Sequence, residues 1–319
     1  MTPAPTSERP ASERPAMAFC RADGSGGNPA LVQLGGTEAR ARALAHRHGA
    51  EVTWLQSDPD TGWRARFFLP ASEITLCLHG LLAGAVRLWQ DGEAQDRALV
   101  IATAAGPQTV SPVPADHRPP GAAIRLAGNH HRLIADGAAL RPDIAAATRL
   151  CAGLDAFPPA LAGAARPKLV LRLEDPVLVG RAVPDPAAVA RLAGRTGATG
   201  LYLYALAGQA ENGCLCIRAR HFPAGLGIAE DPATGGAAAA PLLDLEYQGT
   251  GRIEAAIIDQ GPEMCTTQMS GTTQMTGTTQ MTGTTQMTGT TQMTGTTQID
   301  VRRIDAAGTI WRIAGRVTV

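Results

Sequence analysis

Apolar residues in this chain come in short runs broken by polar turns, and the runs predict strands and helices in alternation. In the first half, Leu31–Leu34, Glu51–Leu55, Trp63–Phe68 and Leu99–Ala102 read as strands. Glu38–His48 carries a helical pattern, and Gly49 after it supplies the stop signal. Leu81–Gln90 reads as a second helix. The second half repeats the style. Strands are expected at Lys168–Leu173, Gly200–Leu206, Cys214–Phe222, Ile253–Asp259 and Ile310–Val319. Helices are expected at Pro186–Gly194 and beyond Asp231. Between the halves, the stretch from Ser111 to Gly121 holds four prolines and predicts a linker. The whole predicts an α+β chain of two similar lobes.

The two halves also share sequence. Arg64-Ala-Arg-Phe-Phe and Arg218-Ala-Arg-His-Phe lie 154 residues apart, and the match continues without a gap through Ile74/Ile228, Ala83/Ala237 and Ala85/Ala239. Each copy reads as a strand, a turn and a small-residue helix. In this register Cys77 falls opposite Asp231. A titratable group at a helix entrance in each copy points to a site between lobes, suited to moving a proton on a small molecule.

Two segments fall outside the duplicated plan. Met1–Ala16 is rich in Pro, Ser, Glu and Arg, lacks the apolar core of a secretion signal, and is expected to be a disordered tail. From Thr266 to Gln298 the chain reads Thr-Thr-Gln-Met-Ser-Gly, four copies of Thr-Thr-Gln-Met-Thr-Gly, then Thr-Thr-Gln. One Met per six residues is too little apolar surface to offset the entropy of ordering, so a loop insertion is expected. The predicted organisation is a tail (1–16), an N-terminal lobe (17–124) and a C-terminal lobe (125–319) carrying the 266–298 insertion. The last strand is left open to return to the N-terminal lobe.

Composition narrows the function. Formal net charge is zero, so no global field draws in nucleic acid or an anionic membrane. No apolar run reaches the roughly 18 residues of a membrane span. Six cysteines without framework spacing suit a reducing, cytoplasmic setting. Cys214 and Cys216 share a strand face with no partner pair at metal-ligand spacing, so no metal is expected. Lys168 is the single lysine and reads as a strand-end charge, which argues against a Schiff-base cofactor. No dinucleotide-binding glycine fingerprint follows a first strand.

In Glu230-Asp231-Pro232-Ala233-Thr234-Gly235-Gly236, Asp231 stands at an N-cap position with Pro232 at N1, which would free the amides of Ala233, Thr234 and Gly235 for an anion. Most such aspartates only cap helices. Cys77-Leu78-His79-Gly80 presents the second entrance, though buried cysteines and lone histidines are more often structural.

Taken in order, Gly27-Asn28-Pro29-Ala30, Glu51 at a strand start, Phe68 through Cys77 to His79, Gly227 through Glu230-Asp231 to Gly235, and Gln260-Gly261-Pro262-Glu263-Met264 resemble the PhzF-like family of phenazine-biosynthesis isomerases, which share the diaminopimelate-epimerase fold. The likeness runs from Met17 nearly to the end. It implies pseudo-symmetric lobes, each a mainly antiparallel sheet or barrel around a central helix, with the site in the cleft. It implies a homodimer without metal or organic cofactor, acting on a small carboxylate in secondary metabolism such as antibiotic biosynthesis. Glu51 matches the family's proton shuttle, and His79 and Asp231 match residues flanking the substrate. Asn28, Cys77, Gly80, Thr234, Gly235 and Gly236 are the matching substrate-binding positions. Leu78 stands where the family usually has Gly, and Gly236 where it usually has Ser.

A carboxylate is a poor base in water, and burial in an apolar cleft would raise its pKa towards neutrality. One poised carboxylate can both take and return a proton. Three functions stay open: an isomerase of a small unsaturated amino- or hydroxy-carboxylate, a racemase or epimerase of the same fold, and a non-catalytic small-acid binder. The racemase normally opposes two thiols, and here Asp231 stands opposite Cys77.

Overall fold

The computed structural model describes residues 11–262 and 297–319, apart from positions 96, 114–119, 165, 211, 212 and 308. The first half runs β1 (Ser12–Cys20), β2 (Asn28–Leu34), α1 (Glu38–His48), β3 (Val52–Asp58), β4 (Gly62–Phe68), the short β5 (Glu73–Ile74), α2 (Leu78–Gln90), β6 (Leu99–Ala102), β7 (Gln108–Val113) and β8 (Gly121–Ala127). The second half runs β9 (His130–Leu133), α3 (Arg141–Thr148), β10 (Ala160–Gly163), β11 (Lys168–Arg172), α4 (Pro176–Arg181), α5 (Pro186–Thr196), β12 (Gly200–Gln209), β13 (Leu215–Pro223), α6 (Ala240–Leu245), β14 (Ala255–Gln260), β15 (Thr297–Arg303) and β16 (Ile310–Thr318).

The strand order β1-β2-β3-β4-β6-β7-β8-β16 closes on itself, because β16 pairs with both β8 and β1. This eight-stranded barrel wraps α2, whose stretch Leu81–Leu88, apolar apart from Arg87, is buried against its wall. The last strand of the chain therefore returns to the N-terminal lobe. The sheet continues from β16 through β15, β14, β13, β12, β11 and β10 to β9, curling around the buried α6. Helix α1 covers β3 and β4 from outside, and α4 and α5 cover β12 and β13.

The internal repeat is visible in the pairing. From β1 to β8 successive neighbours pair antiparallel, parallel, antiparallel, parallel, antiparallel and antiparallel. From β10 to β16 the same series recurs. Phe68 pairs with Val52, and Phe222 with Leu201. Since Phe68 and Phe222 are repeat partners, Glu51 and Gly200 occupy equivalent places in the two lobes.

Three expectations need correction. Ser12–Ala16 is not tail but the start of β1, paired with Ala30–Leu34. Its polar residues are held from the side: the buried Arg87 donates to the Ser12 carbonyl and hydroxyl, and Arg14 pairs with Asp91. Ser111–Val113, read as linker, lies in β7 and pairs with Gly121–Ala123, so the proline-rich stretch joins a hairpin within the first lobe. No long helix follows Asp231. A three-residue 3₁₀ turn at Gly235–Ala237 precedes α6, which starts at Ala240 with Pro241 in its first turn. Proline has no N–H for a helix interior, so the regular ladder restarts around it. Lys168 opens β11, as its place in the sequence indicates, and is buried there; its ammonium donates to Thr199 Oγ1 at 2.5 Å.

Most of the hexapeptide repeat lies outside the described residues, but Thr297 and Gln298 belong to β15. Thr297 is fully buried, pairs with Gln260, and donates to the carbonyls of Pro232 and Gln260. The strand ends flanking the repeat are thus direct neighbours. Replacing residues 263–296 by a four-residue turn should leave the fold intact and add about 2 kcal/mol from the shorter loop. Thermal and urea unfolding of the two proteins would check it. A cut that also removes Thr297 should be distinctly less stable.

Candidate active site

The site assembles where the entrance of α2 faces the Asp231 segment across the lobes. Glu51 immediately precedes β3 and is 9% exposed. Its Oε2 lies 3.5 Å from His79 Nε2, and its Oε1 is buried without a hydrogen-bond partner among the described residues. Gly80, third residue of α2, makes room for this carboxylate. A Cβ there would strike Thr53 Oγ1 and come within 2.5 Å of Glu51 Oε1.

Cys77 is the N-cap of α2 and makes no side-chain cap bond, so the first-turn amides are not closed off by it. Its sulfur lies 3.0 Å from His79 Nδ1. The consistent assignment has the thiol donating to Nδ1 and Nε2–H facing Glu51. Burial, and then the neighbouring Glu51 charge, push the Cys77 thiol well above its ordinary pKa. It stays protonated at neutral pH.

From the other lobe, Asp231 is held by a single β-bridge to His221. Its Oδ1 accepts from Asn28 Nδ2 at 2.7 Å and from the Ala233 amide at 3.3 Å. Its Oδ2 accepts from Thr234 Oγ1 at 2.6 Å. Burial pushes Asp231 up, but the neighbouring His221 imidazole, then the facing His79 and the Thr234 hydroxyl that donates to it, outweigh burial and leave its pKa below the ordinary value. Asn28 ties the lobes together: the same amide also donates to the Ala233 carbonyl at 3.1 Å and lies 3.3 Å from His79 Nδ1.

Gly235 and Gly236 lie beside Leu78 at the α2 entrance. A Cβ on Gly235 would come 3.2 Å from Leu78 Cδ1 and 2.8 Å from the Phe19 ring. Phe19 is in the left-handed region (φ 63°) at a bulge in β1, which turns its ring inward between Gly235 and Gly315. The structure thus brings Glu51, Cys77, His79, Gly80, Asn28, Asp231, Thr234, Gly235 and Gly236 into one neighbourhood. Asp231 does not cap a helix directly, as the sequence suggested; its carboxylate is spent on Asn28, Ala233 and Thr234 instead.

Glu51, Cys77 and His79 each bring one donor atom within 4.8 Å of the others, the one such trio among the described residues. A metal there would have to displace the proton of a thiol that burial strongly protonates.

Thr53 and His221 were not singled out from sequence as site neighbours, and Gln260 entered only as part of a resembling motif. Thr53 backs Gly80. Gln260, fully buried, donates to the Asp231 carbonyl at 2.8 Å and to Thr234 Oγ1 at 3.2 Å, and accepts from Tyr202 OH. His221 places Nδ1 2.7 Å from Thr234 Oγ1. The available signal for His221 was a mismatch in the repeat, His where the first copy has Phe67.

Burial first, then the facing Lys168 and Arg166 charges, lower the His221 pKa from 6.5 to about 4 despite Asp231. The folded pKa lies below the unfolded one, so unfolding takes up a proton between these values. His221 therefore contributes stability that is full above pH 6.5 and lost as pH falls through 4. Urea midpoints should fall across this window, less steeply in His221→Phe.

Eight strands closed on an inner helix, facing a second lobe whose sheet repeats the strand pairing and curls around its own helix, with titratable groups between them, define the fold class of the PhzF and proline-racemase proteins. A family model described as phenazine biosynthesis-like protein matches residues 18–297, and the chain belongs to that family. An uncharacterised isomerase of Pseudomonas aeruginosa is 28% identical over 214 residues, covering 66% of this chain and 72% of its own. Among solved structures, a phenazine biosynthesis protein of the PhzF family from Bacillus anthracis superposes with a TM-score of 0.74 at 18% identity, covering 96% of this chain and 97% of that one. A predicted epimerase from Pseudomonas aeruginosa gives 0.68 at 21% identity, covering 96% and 95%.

Proposed function

We propose that this protein is an isomerase that needs no cofactor and moves a proton within a small unsaturated amino- or hydroxy-carboxylate, in secondary metabolism. The observation that carries the reading is Glu51, a buried carboxylate at a helix entrance between the lobes, one oxygen of which has no hydrogen-bond partner among the described residues. Oε1 takes a proton from one substrate carbon and returns it to another. His79 Nε2–H, facing Oε2, holds the shuttle in place through both steps. The substrate carboxylate is received by the first-turn amides of α2 and the Gly235–Gly236 turn, where backbone N–H groups favour an anion. Asp231 and Asn28 line the opposite wall. The enzyme acts as a cytoplasmic homodimer. No helix among the described residues is long and apolar enough to cross a membrane.

A thiol racemase of the same fold would need Cys77 as a thiolate. The site holds it protonated, and its partner position is Asp231. Cys77→Ala should therefore lose less than about 10-fold in turnover, below the usual effect of removing a general base. The deciding experiment incubates the protein in D₂O with a panel of small unsaturated amino and hydroxy acids and locates deuterium in the product by NMR. Label on a different carbon from the one deprotonated is expected. Label returned to the same carbon with inversion would mean a racemase. Carboxylate binding without exchange would mean a binding protein.

A further inference from the structure

The internal repeat exposes a second buried ionisable group in the place that Glu51 holds. In the first lobe, Glu51 Oε1 abuts Gly80. In the second lobe, Gly200 is equivalent to Glu51 and has no side chain to offer. The space above it is filled from the next strand: a Cβ on Gly200 would come within 2.7 Å of His221 Nε2. Thr234, the repeat partner of Gly80, contacts this imidazole through Oγ1. Each lobe thus sets one buried titratable side chain against the third residue after Cys77 or Asp231. Each of these groups also keeps one buried atom without a hydrogen-bond partner among the described residues, Glu51 Oε1 and His221 Nε2.

The hydrogen bonds around Thr234 fix what this imidazole does. The Thr234 hydroxyl donates to Asp231 Oδ2 and accepts from Gln260 Nε2. One lone pair remains, so His221 Nδ1 must carry its proton and donate to it. His221 and Asp231 do not touch directly; Nδ1 and Oδ2 are 3.8 Å apart with the hydroxyl bridging them. The ring is 2% exposed and packs beside Tyr202, with centroids 5.9 Å apart.

We infer that His221 is a positioning residue for Asp231, the second lobe's counterpart of Glu51, acting through Thr234. With Gln260 it saturates the Thr234 oxygen and commits the hydroxyl proton to Oδ2. That keeps Asp231 an anion aimed at Asn28 and the first lobe. The groups that bear on this charge are His221 and Thr234 from its own lobe, Lys168 at the start of β11, and His79 from α2; Arg166 faces the His221 ring. The inference rests on Asp231 serving the proposed reaction, but its test needs no substrate.

The test follows the Asp231 carboxyl directly, in full-length protein labelled with ¹³Cγ-aspartate. Its NMR signal is assigned by its loss in Asp231→Asn. In His221→Phe the ring volume is kept, and the titration midpoint of Asp231 should rise by about one pH unit. In His221→Asn an amide N–H can stand in for Nδ1–H, and the midpoint should return to within a few tenths of the parent. In turnover assays the acid limb of kcat/KM should move with these midpoints. An unchanged Asp231 midpoint in a folded His221→Phe protein would overturn the inference. If that variant does not fold, Thr234→Val and Thr234→Ser carry the same test: the valine should shift the midpoint and the serine should not, and no shift in either would overturn it. Failure of the isomerase reading would show separately, as deuterium exchange undiminished by Glu51→Gln.

Discussion

Glu51→Gln should reduce turnover by roughly 10²-fold or more while leaving ligand affinity nearly unchanged. The amide keeps the shape of the side chain and removes the base. Nothing in the packing opposes the change. Oε1 has no donor to lose among the described residues, and Oε2 faces His79 at 3.5 Å, a distance an amide oxygen can occupy. The folded state should therefore be as stable as the parent, which separates loss of chemistry from loss of structure. Single-turnover and steady-state rates with a turned-over acid from the D₂O panel would give kcat and KM. Full activity in Glu51→Gln would remove the shuttle from the mechanism. Asp231→Asn should behave differently and raise KM as well, because that carboxylate organises Asn28, Ala233 and Thr234.

The sequence carried the fold well where periodicity was strong. Helix α1 runs from Glu38 to His48, as its pattern and Gly49 indicate, and Gly49 adopts the left-handed conformation (φ 59°). The Arg64/Arg218 match located the two central strands β4 and β13. What was lost came from residues whose partners are distant in sequence. Ser12–Ala16 looks like tail because its polar residues are satisfied by Arg87 and Asp91, far along the chain. The proline-rich stretch looks like a linker because Pro112 sits in a strand without breaking the pairing to Ala122. In the site, the motif residues Asn28, Glu51, Cys77, His79 and Asp231 lie side by side. His221 and Thr297 went unmarked, and Gln260 stood only inside a quoted motif without a role, because what they do is make buried hydrogen bonds from three strands.

Gly80→Ala should be the most damaging single-methyl change in the first lobe. Helix propensity alone would favour alanine by about 1 kcal/mol at this third position of α2. Packing decides the other way. The new Cβ would strike Thr53 Oγ1, and Thr53 is a fully buried, β-branched residue inside β3 with little freedom to turn aside. It would also come within 2.5 Å of Glu51 Oε1 and push the carboxylate from the α2 entrance. Overpacking of this kind costs about 1–3 kcal/mol, and displacing the base should cost roughly 10²-fold in turnover. Gly84→Ala, one turn on, is the control. Its Cβ would sit 3.2 Å from the flexible end of Leu55, so it should be nearly neutral in both respects. Adding Thr53→Ala to Gly80→Ala removes the hydroxyl but not the clash with Glu51. The double variant should therefore recover stability without recovering activity. Thermal unfolding and turnover of the four proteins measure this. Recovery of both together would mean that Gly80 serves packing alone, and that the place of Glu51 does not depend on the missing side chain.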